Sequence, residues 1–132
     1  MRRSKRIRSE KYDLTFDSKW ELAVFEHCKD RGLAVVYCPD IKIPYESNGV
    51  KHIYQPDFLI EGRLYEVKGD QFFRKDGTMF CPYRKKGQTD EEYRLICDIY
   101  EAKHQCMLAN GVRILRSADM GKLESAIIGR RK

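Results

Sequence analysis

The chain has 132 residues, of which 35% are charged and 42% are hydrophobic, and its formal net charge is +6. A chain of this length forms one domain, here 1–132, with a single core, and no apolar stretch approaches the roughly 20 residues of a membrane span. No apolar segment follows the basic N-terminus, so the sequence predicts neither a secretory signal nor a membrane partner.

Positive charge is concentrated at the two ends of the chain. The eight basic residues there are Arg2, Arg3, Lys5, Arg6, Arg8, Arg130, Arg131 and Lys132. The remaining 18 basic and 20 acidic residues give the body a net charge of −2. A basic N-terminal arm over residues 1–12 suits a phosphate-backbone partner such as DNA, and a solubilising tail is the alternative.

The first predicted helix begins near Ser18, runs to about residue 31 and stops at Gly32. Ser18 and Glu21 fit a capping box, in which each side chain satisfies a backbone N–H near the other residue. Glu21 also begins the apolar, core-facing stripe of this helix at i, i+3, i+4 and i+7 spacing. Helix cap and active-site carboxylate are therefore competing roles for Glu21, and we favour the second.

Extended segments follow over residues 33–38 and 41–46, bent near Pro39 and ended by the turn signal Asn48-Gly49. Pro44 indicates an edge strand or a bulge. The next predicted strand runs from about 50 to 60 and carries Asp57, and a further strand covers residues 63–68.

Glu61-Gly62 predicts a two-residue turn between these last two strands. That register sets Asp57 opposite Glu66 with their Cβ atoms about 5 Å apart, a like-charge pairing that is destabilising. Alternation puts Glu66 and Lys68 on the same face. A hard cation bound by oxygen ligands, such as Mg²⁺, would make this cluster favourable. A three-residue loop would instead set Asp57 opposite Val67, and solvated strand charges are the alternative interpretation.

Residues 70–88 form the longest irregular stretch, in which Asp76-Gly77 predicts a small projecting hairpin. Its basic residues are interleaved with Phe and Tyr, a pattern typical of a DNA-contacting arm. They are Arg74, Lys75, Arg84, Lys85 and Lys86. Aromatic residues that only anchor a surface loop would give the same pattern.

Thr89 and Glu92 form a second capping box and predict a long helix to about residue 109. Lys103 and His104 on this helix are weaker candidates for phosphate contact. A short buried strand over 112–115 and a last helix over 118–128 complete the chain. The resulting order αβββαβα, with the late strand joining the earlier ones, predicts an α/β fold with a central mixed β-sheet flanked by helices.

The five cysteines are odd in number and include no C-x-x-C pair or ligand-spaced Cys/His cluster, which argues against a structural zinc site. We expect reduced thiols in a cytoplasmic protein. The cysteines are Cys28, Cys38, Cys81, Cys97 and Cys106.

The hairpin resembles the PD-(D/E)XK nuclease superfamily, whose motif would be Pro56-Asp57 followed by Glu66-Val67-Lys68. Residues 18–69 are similar to two of its branches, the phage junction-resolving endonuclease I and the TnsA-type transposon-end nucleases. The shared features are an acidic residue in the first helix (Glu21), Lys-Ile-Pro-Tyr at 42–45, Tyr-x-Pro-Asp-Phe at 54–58 and Glu-Val-Lys-Gly at 66–69.

This resemblance implies a restriction-endonuclease-like core and a DNA endonuclease that uses Mg²⁺, with Mn²⁺ as a substitute. Asp57 and Glu66 would ligate the metal together with the backbone carbonyl of Val67, and Glu21 would complete the cluster through water or a second ion. Lys68 would orient and deprotonate the attacking water or stabilise the pentacoordinate state.

Similarity to endonuclease I implies branched DNA or junctions as the substrate, an intertwined homodimer, and a bacterial or phage-encoded protein. Asn48-Gly49 departs from that pattern, because it interrupts the segment that bridges the subunits in those enzymes. A TnsA-like or restriction-type duplex endonuclease is one alternative, and a non-catalytic DNA-binding module with the same fold is another. Metal-dependent cleavage would distinguish either enzyme from the non-catalytic module. Cleavage of a four-way junction compared with that of linear duplex would distinguish the junction-resolving enzyme from the duplex endonuclease.

Overall fold

The computed structural model describes residues 6–128, and of Ile128 only the backbone. Within that range lie eight strands and three α-helices, in the order β1 (Ile7–Ser9), β2 (Leu14–Phe16), α1 (Lys19–Asp30), β3 (Val35–Tyr37), β4 (Ile43–Ser47), β5 (Val50–Tyr54), β6 (Phe58–Ile60), β7 (Arg63–Val67), α2 (Asp90–Ala109), β8 (Arg113–Leu115) and α3 (Leu123–Ile128). Two short 3-10 helices, Asp70–Phe72 and Ser117–Gly121, supplement them.

A mixed four-stranded sheet in the order β3-β6-β7-β8 forms the centre of the molecule. The pairs β3–β6 and β6–β7 are antiparallel, whereas β8 pairs parallel to β7 after the crossover through α2. The predicted α/β fold, in which a late strand joins the earlier ones in a mixed sheet, is confirmed.

Each face of the sheet carries its own apolar core. On one face, Tyr65 packs in a cluster with apolar residues of α1 and α3. On the other face, Leu64 packs with a cluster that includes Met107 of α2. Because side chains alternate along a strand, Glu66 emerges on the α2 side, next to residues that keep it buried.

The predicted strand over 50–60 is divided in two, and the extended segments predicted over 33–38 and 41–46 belong to different sheets. β3 pairs with β6 in the central sheet, whereas β4 and β5 form a separate two-stranded ribbon. Cys38 has a left-handed φ of 52°, and Pro39 and Pro56 lack the N–H that a continuous ladder needs. The prediction of one strand from 50 to 60 is therefore wrong, and Asp57 lies in the break just before β6.

The Asn48-Gly49 turn joins β4 and β5 of the same chain, as the sequence predicts. Both residues have positive φ, 51° and 77°, as a two-residue hairpin turn requires. Pro44 lies opposite Ile53 on β4, a strand that pairs only with β5 among the described residues, which confirms its edge position.

The ends of the two long helices are those that the capping residues predict. The Ser18 hydroxyl accepts the Glu21 N–H at 3.2 Å before α1, and Gly32 follows that helix with a φ of 70°. Before α2, the Thr89 hydroxyl accepts the Glu92 N–H at 3.0 Å, and the Glu92 carboxylate accepts the Thr89 N–H at 2.9 Å.

The basic arm predicted over residues 1–12 is wrong for its second half. β1 pairs with β2, with Ile7 opposite Phe16. Tyr12 between them packs edge-on against Phe25 of α1, with ring centroids 4.9 Å apart. Strands of three residues carry too little alternation to be recognised from sequence, yet this hairpin contributes the fully buried Phe16 to the core.

The prediction that residues 70–88 project is wrong for residues 72–81, which pack against the domain apart from their exposed tip. The expected hairpin is present, with Phe73 bridged to Met79 across the turn at 74–77. Met79 is fully buried in the core on the α2 side. Phe72 lies parallel to Tyr100 of α2 with centroids 6.1 Å apart. Burial of these apolar side chains holds this part of the segment against α2, whereas the tip at 75–76 and the stretch 83–87 are exposed.

The last helix, predicted over 118–128, is also divided. Asp119 accepts the Arg116 N–H at 2.8 Å, which closes a 3-10 turn before α3 begins at Leu123. Among the helices of the described residues, none combines the length and the apolar character that crossing a membrane requires.

Candidate active site

The hairpin β6–β7 has the predicted register. Glu61 and Gly62 have φ of 49° and 79°, so the turn has two residues, and Phe58 pairs with Tyr65. Continuing this register by one residue brings Asp57 and Glu66 to the same end of the hairpin. The Glu61 side chain accepts the Ala34 N–H at 2.7 Å, which ties the turn to the chain before β3.

Each of these two carboxylates has one oxygen fixed by a hydrogen bond. Asp57 Oδ2 accepts the backbone N–H of Val67 at 2.8 Å. Glu66 Oε1 accepts the hydroxyl of Tyr54 at 2.6 Å, and both of these residues are buried. The two contacts orient the side chains, because charge-assisted hydrogen bonds are the stronger kind.

Glu21 is buried at the start of α1 and forms only half of the predicted capping box. Its N–H is held by Ser18, but its carboxylate does not bind the Ser18 N–H. Instead Oε1 accepts the Tyr37 hydroxyl at 2.6 Å and the Asp17 N–H at 3.2 Å. The same carboxylate therefore fixes the start of α1 to strand β3. Its negative charge also raises the pKa of Lys68, and the charge of Lys68 lowers the pKa of Glu21.

All three carboxyl groups are held in surroundings that disfavour their charge. Burial raises the pKa of Asp57 well above its usual range, and the charges of Glu66 and Glu21 raise it further. Burial likewise raises the pKa of Glu66 and that of Glu21. Desolvation is the largest cause for each group, and the hydrogen bonds from Val67, Tyr54 and Tyr37 act in the opposite direction on the pKa of their respective partners.

Two lysines provide the positive charge near the carboxylates. Burial and the neighbouring Lys103 lower the pKa of Lys68, against the opposing effect of the carboxylates. Lys68 Nζ lies 4.5 Å from the centre of the Phe72 ring, and Lys103 Nζ lies 5.9 Å from that of Tyr54. Neither ammonium is within ion-pair distance of a carboxylate among the described residues.

The second oxygen of each carboxylate accepts no hydrogen bond from residues 6–128. Over the same range, no three His, Cys, Asp or Glu side chains come close enough together to hold a metal ion among themselves. Mg²⁺ typically binds through one or two carboxylates and keeps several waters. Asp57 and Glu66 are thus two carboxylates at one end of the hairpin, the number that such an ion typically uses.

Most of the basic residues predicted to contact DNA lie away from these carboxylates. Four arginines are paired with acidic residues of the same chain, as Arg6–Asp17, Arg8–Asp13, Arg74–Glu101 and Arg84–Asp90. Lys75, Lys85 and Lys86 are exposed. Of the members of the set that lie within residues 6–128, Lys103 is the one whose charge acts on Glu66 and Lys68. Arg2, Arg3, Lys5 and the basic residues at 130–132 lie outside the described residues.

His104, predicted beside Lys103 as a weaker phosphate contact, is buried and packs edge-on against Phe73 at 5.9 Å. It therefore belongs to the packing between α2 and the 70–88 segment. A cleft of about 700 Å³ beside it is lined by the turn at 47–48, the hairpin at 74–78 and α2. That cleft has none of the three carboxylates in its lining.

Two tyrosines at the site carry roles that the sequence does not predict. Tyr54 and Tyr37 donate to Glu66 and Glu21 respectively. Tyr54 lies within the Tyr-x-Pro-Asp-Phe motif, which is the one signal that could have indicated it. Its orientation follows from the break at Pro56, and no local pattern predicts where a strand resumes after such a break.

Comparison with protein-family models, with curated proteins and with solved structures found no match to this chain. The geometry around Asp57, Glu66, Glu21 and Lys68 is therefore the basis on which a function is proposed. Two buried carboxylates and one half-buried carboxylate, each with an oxygen free of hydrogen bonds from the described residues and next to a lysine of lowered pKa, are costly to assemble and typical of functional sites.

Proposed function

We propose that this chain is a Mg²⁺-dependent DNA endonuclease with a restriction-endonuclease-like core, similar to the PD-(D/E)XK nucleases. The observation that carries the proposal is the convergence of Asp57 and Glu66 at one end of the β6–β7 hairpin, with Lys68 beside them. Carboxylates buried without a compensating cation are unfavourable, and a hard divalent ion supplies that compensation.

The residues that would hold the ion are Asp57 and Glu66, each through its free oxygen, with the carbonyl of Val67 as a third donor. A bound divalent ion lowers the pKa of water and neutralises charge on a phosphoryl group. Mn²⁺ has the same preference for oxygen ligands and is expected to substitute.

The protein's own groups have distinct parts in this proposal. Tyr54 holds Glu66 in place, and the N–H of Val67 holds Asp57. With its pKa lowered by burial, Lys68 can accept a proton from water when neutral, or stabilise charge on the phosphorane when protonated. Lys103 lies where it offsets the charge of Glu66 and can contact a phosphate.

Branched DNA is the substrate we favour, and a TnsA-like or restriction-type duplex is the alternative. Symmetric cleavage of a junction needs two active sites, so a homodimer belongs to the first version. The short turn at Asn48-Gly49 lets β4 pair with β5 of the same chain, and the homodimer we propose keeps that pairing. All five thiols are free, which suits the reducing cytoplasm of a bacterial or phage-infected cell.

The test is cleavage of a four-way junction and of its linear duplex arms, each with Mg²⁺ and with a chelator. We expect metal-dependent cleavage, faster on the junction, that is abolished by Asp57→Ala, Glu66→Ala or Lys68→Ala. Lys51→Ala, which removes an exposed lysine from β5, is the matched control and should cleave normally. Full activity of Lys68→Ala would contradict the mechanism. DNA binding without cleavage under any metal would identify a non-catalytic DNA-binding module.

A further inference from the structure

A cleft of about 680 Å³ opens directly beside the proposed active site. Its lining includes Glu21, Val67 and Lys68 from that site, and Trp20 and Phe72 from the chain on either side. Most of the lining surface is apolar, although charged groups stand at its edge. A group bound in this cleft would therefore lie next to the proposed catalytic residues, in contact with aromatic surface.

The two aromatic residues of the cleft differ in what they already contact. Phe72 is parallel to Tyr100 at 6.1 Å, edge-on to Tyr83 at 5.7 Å and covered by Lys68 Nζ at 4.5 Å. Trp20 is half-buried against the core of α1. Among the described residues, its ring has no aromatic or cationic partner and its indole N–H no acceptor.

Trp20 is the single tryptophan of the chain, and it lies one residue before Glu21 in the first turn of α1. The indole ring of Trp20, which contacts no other aromatic ring among the described residues, therefore lines the same cleft as the proposed catalytic residue Glu21. Lys19, also in the lining, adds a positive charge at the same edge. Flat aromatic surface next to basic groups is the combination that binds unpaired nucleic-acid bases.

We propose that this cleft accepts one unpaired nucleobase, stacked on Trp20, while the adjoining phosphate lies at Lys68. The inference rests on the proposed nuclease function and specifies its substrate class as DNA with an unpaired nucleotide beside the cut. A base within a duplex must first be unstacked and unpaired to reach such a cleft, which an unpaired base avoids. Stacking on an aromatic side chain strengthens binding roughly 5- to 150-fold per base, with little dependence on sequence.

The experiment uses the fluorescence of the single tryptophan in the full-length protein, with a chelator present so that no DNA is cut. Three DNAs are titrated, namely a full duplex, the same duplex with one unpaired adenine, and that duplex with an abasic site replacing the adenine. We expect quenching and at least 5-fold tighter binding only with the unpaired adenine. Equal affinity and equal quenching for the adenine and abasic DNAs would overturn the proposal.

Two variants at the same position separate stacking from packing. Trp20→Leu keeps an apolar side chain but has no aromatic face, so the preference for unpaired adenine over the abasic DNA, measured by fluorescence anisotropy of labelled DNA, should fall to about one. Trp20→Phe should retain part of it. Tyr45→Leu, which removes an aromatic ring from β4, is the matched control and should keep the full preference. Should Trp20→Leu fail to fold, the wild-type comparison with abasic DNA still decides.

Adding Mg²⁺ to the same three DNAs distinguishes failure of this inference from failure of the proposed function. Cleavage at equal rates on adenine and abasic DNA would support the nuclease function and contradict the stacking site. Base-dependent quenching without cleavage of any DNA would support the stacking site and contradict the nuclease function.

Discussion

At the scale of single residues, Glu21 combines two roles that sequence patterns treat as alternatives. Its carboxylate holds the start of α1 through the Asp17 N–H and joins it to β3 through the Tyr37 hydroxyl. It is also buried, with one oxygen free of hydrogen bonds from the described residues. A carboxylate used only as a cap is normally solvated, since ionised groups are costly to bury. Its burial therefore favours a role beyond capping.

We predict that Glu21→Gln separates the two roles. Glutamine keeps an oxygen that can accept from Asp17 and Tyr37, so the melting temperature without metal should change little. Cleavage should be lost or greatly reduced and the apparent Mg²⁺ affinity weakened, because the negative charge is gone. Glu26→Gln, on the exposed side of the same helix, should behave as wild type. Normal cleavage by Glu21→Gln at limiting Mg²⁺ would leave Glu21 a structural residue only.

Asp57→Asn should stabilise the metal-free protein, and by more as the pH rises. The pKa of Asp57 is raised in the folded state, so the folded protein binds more protons than the unfolded chain above the usual carboxyl range, and stability falls as pH increases. Asparagine removes this loss and can still accept the Val67 N–H. Thermal melts at pH 5 and pH 8 in a chelator should show a variant-minus-wild-type difference of a few degrees at pH 8, shrinking toward pH 5.

Mg²⁺ provides the opposite test on the same pair of proteins. An ion that binds only the folded state raises its melting temperature, so Mg²⁺ should stabilise wild type and not Asp57→Asn. A variant that Mg²⁺ stabilises as much as wild type would remove Asp57 from the metal site.

Tyr54→Phe should destabilise the protein by about 1–3 kcal/mol, the usual cost of leaving a buried acceptor unsatisfied. The Tyr54 hydroxyl lowers the pKa of Glu66 against the larger effect of burial, so its loss should raise that pKa further. The destabilisation should therefore be larger at pH 8 than at pH 5, measured by urea unfolding. Tyr45→Phe loses a hydroxyl with no hydrogen bond among the described residues and should show neither effect.

At the scale of elements, local signals predict helix ends and tight turns, and non-local packing decides the rest. The caps formed by Ser18 and Thr89 are predictable because each is a hydrogen bond between a hydroxyl and the backbone N–H three residues later. Such a bond does not depend on any distant part of the chain. The split of residues 50–60 depends on Pro56, which lacks the N–H of a continuous ladder, and on Cys38, whose backbone has a left-handed φ of 52°. The position of the 70–88 segment depends on α2, which follows it in the chain.

The packing of that segment gives a prediction about stability. Met79→Ala should destabilise the protein by about 2–5 kcal/mol, the range for a large apolar side chain removed from a core. Lys75→Ala at the exposed tip of the same hairpin should change stability by about 0.5 kcal/mol or less. Equal, small effects of both changes in denaturant unfolding would mean that the segment projects from the domain.

For the molecule as a whole, the sequence predicts the fold class and the carboxylate pair, but it does not predict which basic side chains form ion pairs within the chain. The β6–β7 register follows from the Glu61-Gly62 turn, so Asp57 and Glu66 are found from local rules alone. From the sequence, the arginines at 6, 8, 74 and 84 are predicted to be available for DNA contact. In the folded chain each of them forms an ion pair with a carboxylate. For the DNA contact that we propose, the positive charge outside those pairs remains.

Deleting residues 1–5 tests where that remaining charge acts. This deletion removes Arg2, Arg3 and Lys5 but leaves β1, which begins at Ile7, so the melting temperature should not change. Each lysine or arginine that neutralises a phosphate releases a counterion, and the slope of log K against log salt is about −0.9 per contact on duplex DNA. Loss of three such contacts should make that slope shallower by up to about 2.7 and weaken binding equally for different sequences.

A variant with the same three residues replaced by glutamine controls for chain length and should match the deletion in titrations from low to moderate salt. The body of the chain, without the eight terminal basic residues, has a net charge of −2, so it should attract DNA only where cations such as Lys85, Lys86 and Lys103 lie free of ion pairs. An unchanged slope in both variants would place the phosphate contacts on the remaining cations of the chain, and Lys85→Gln with Lys86→Gln should then make the slope shallower instead.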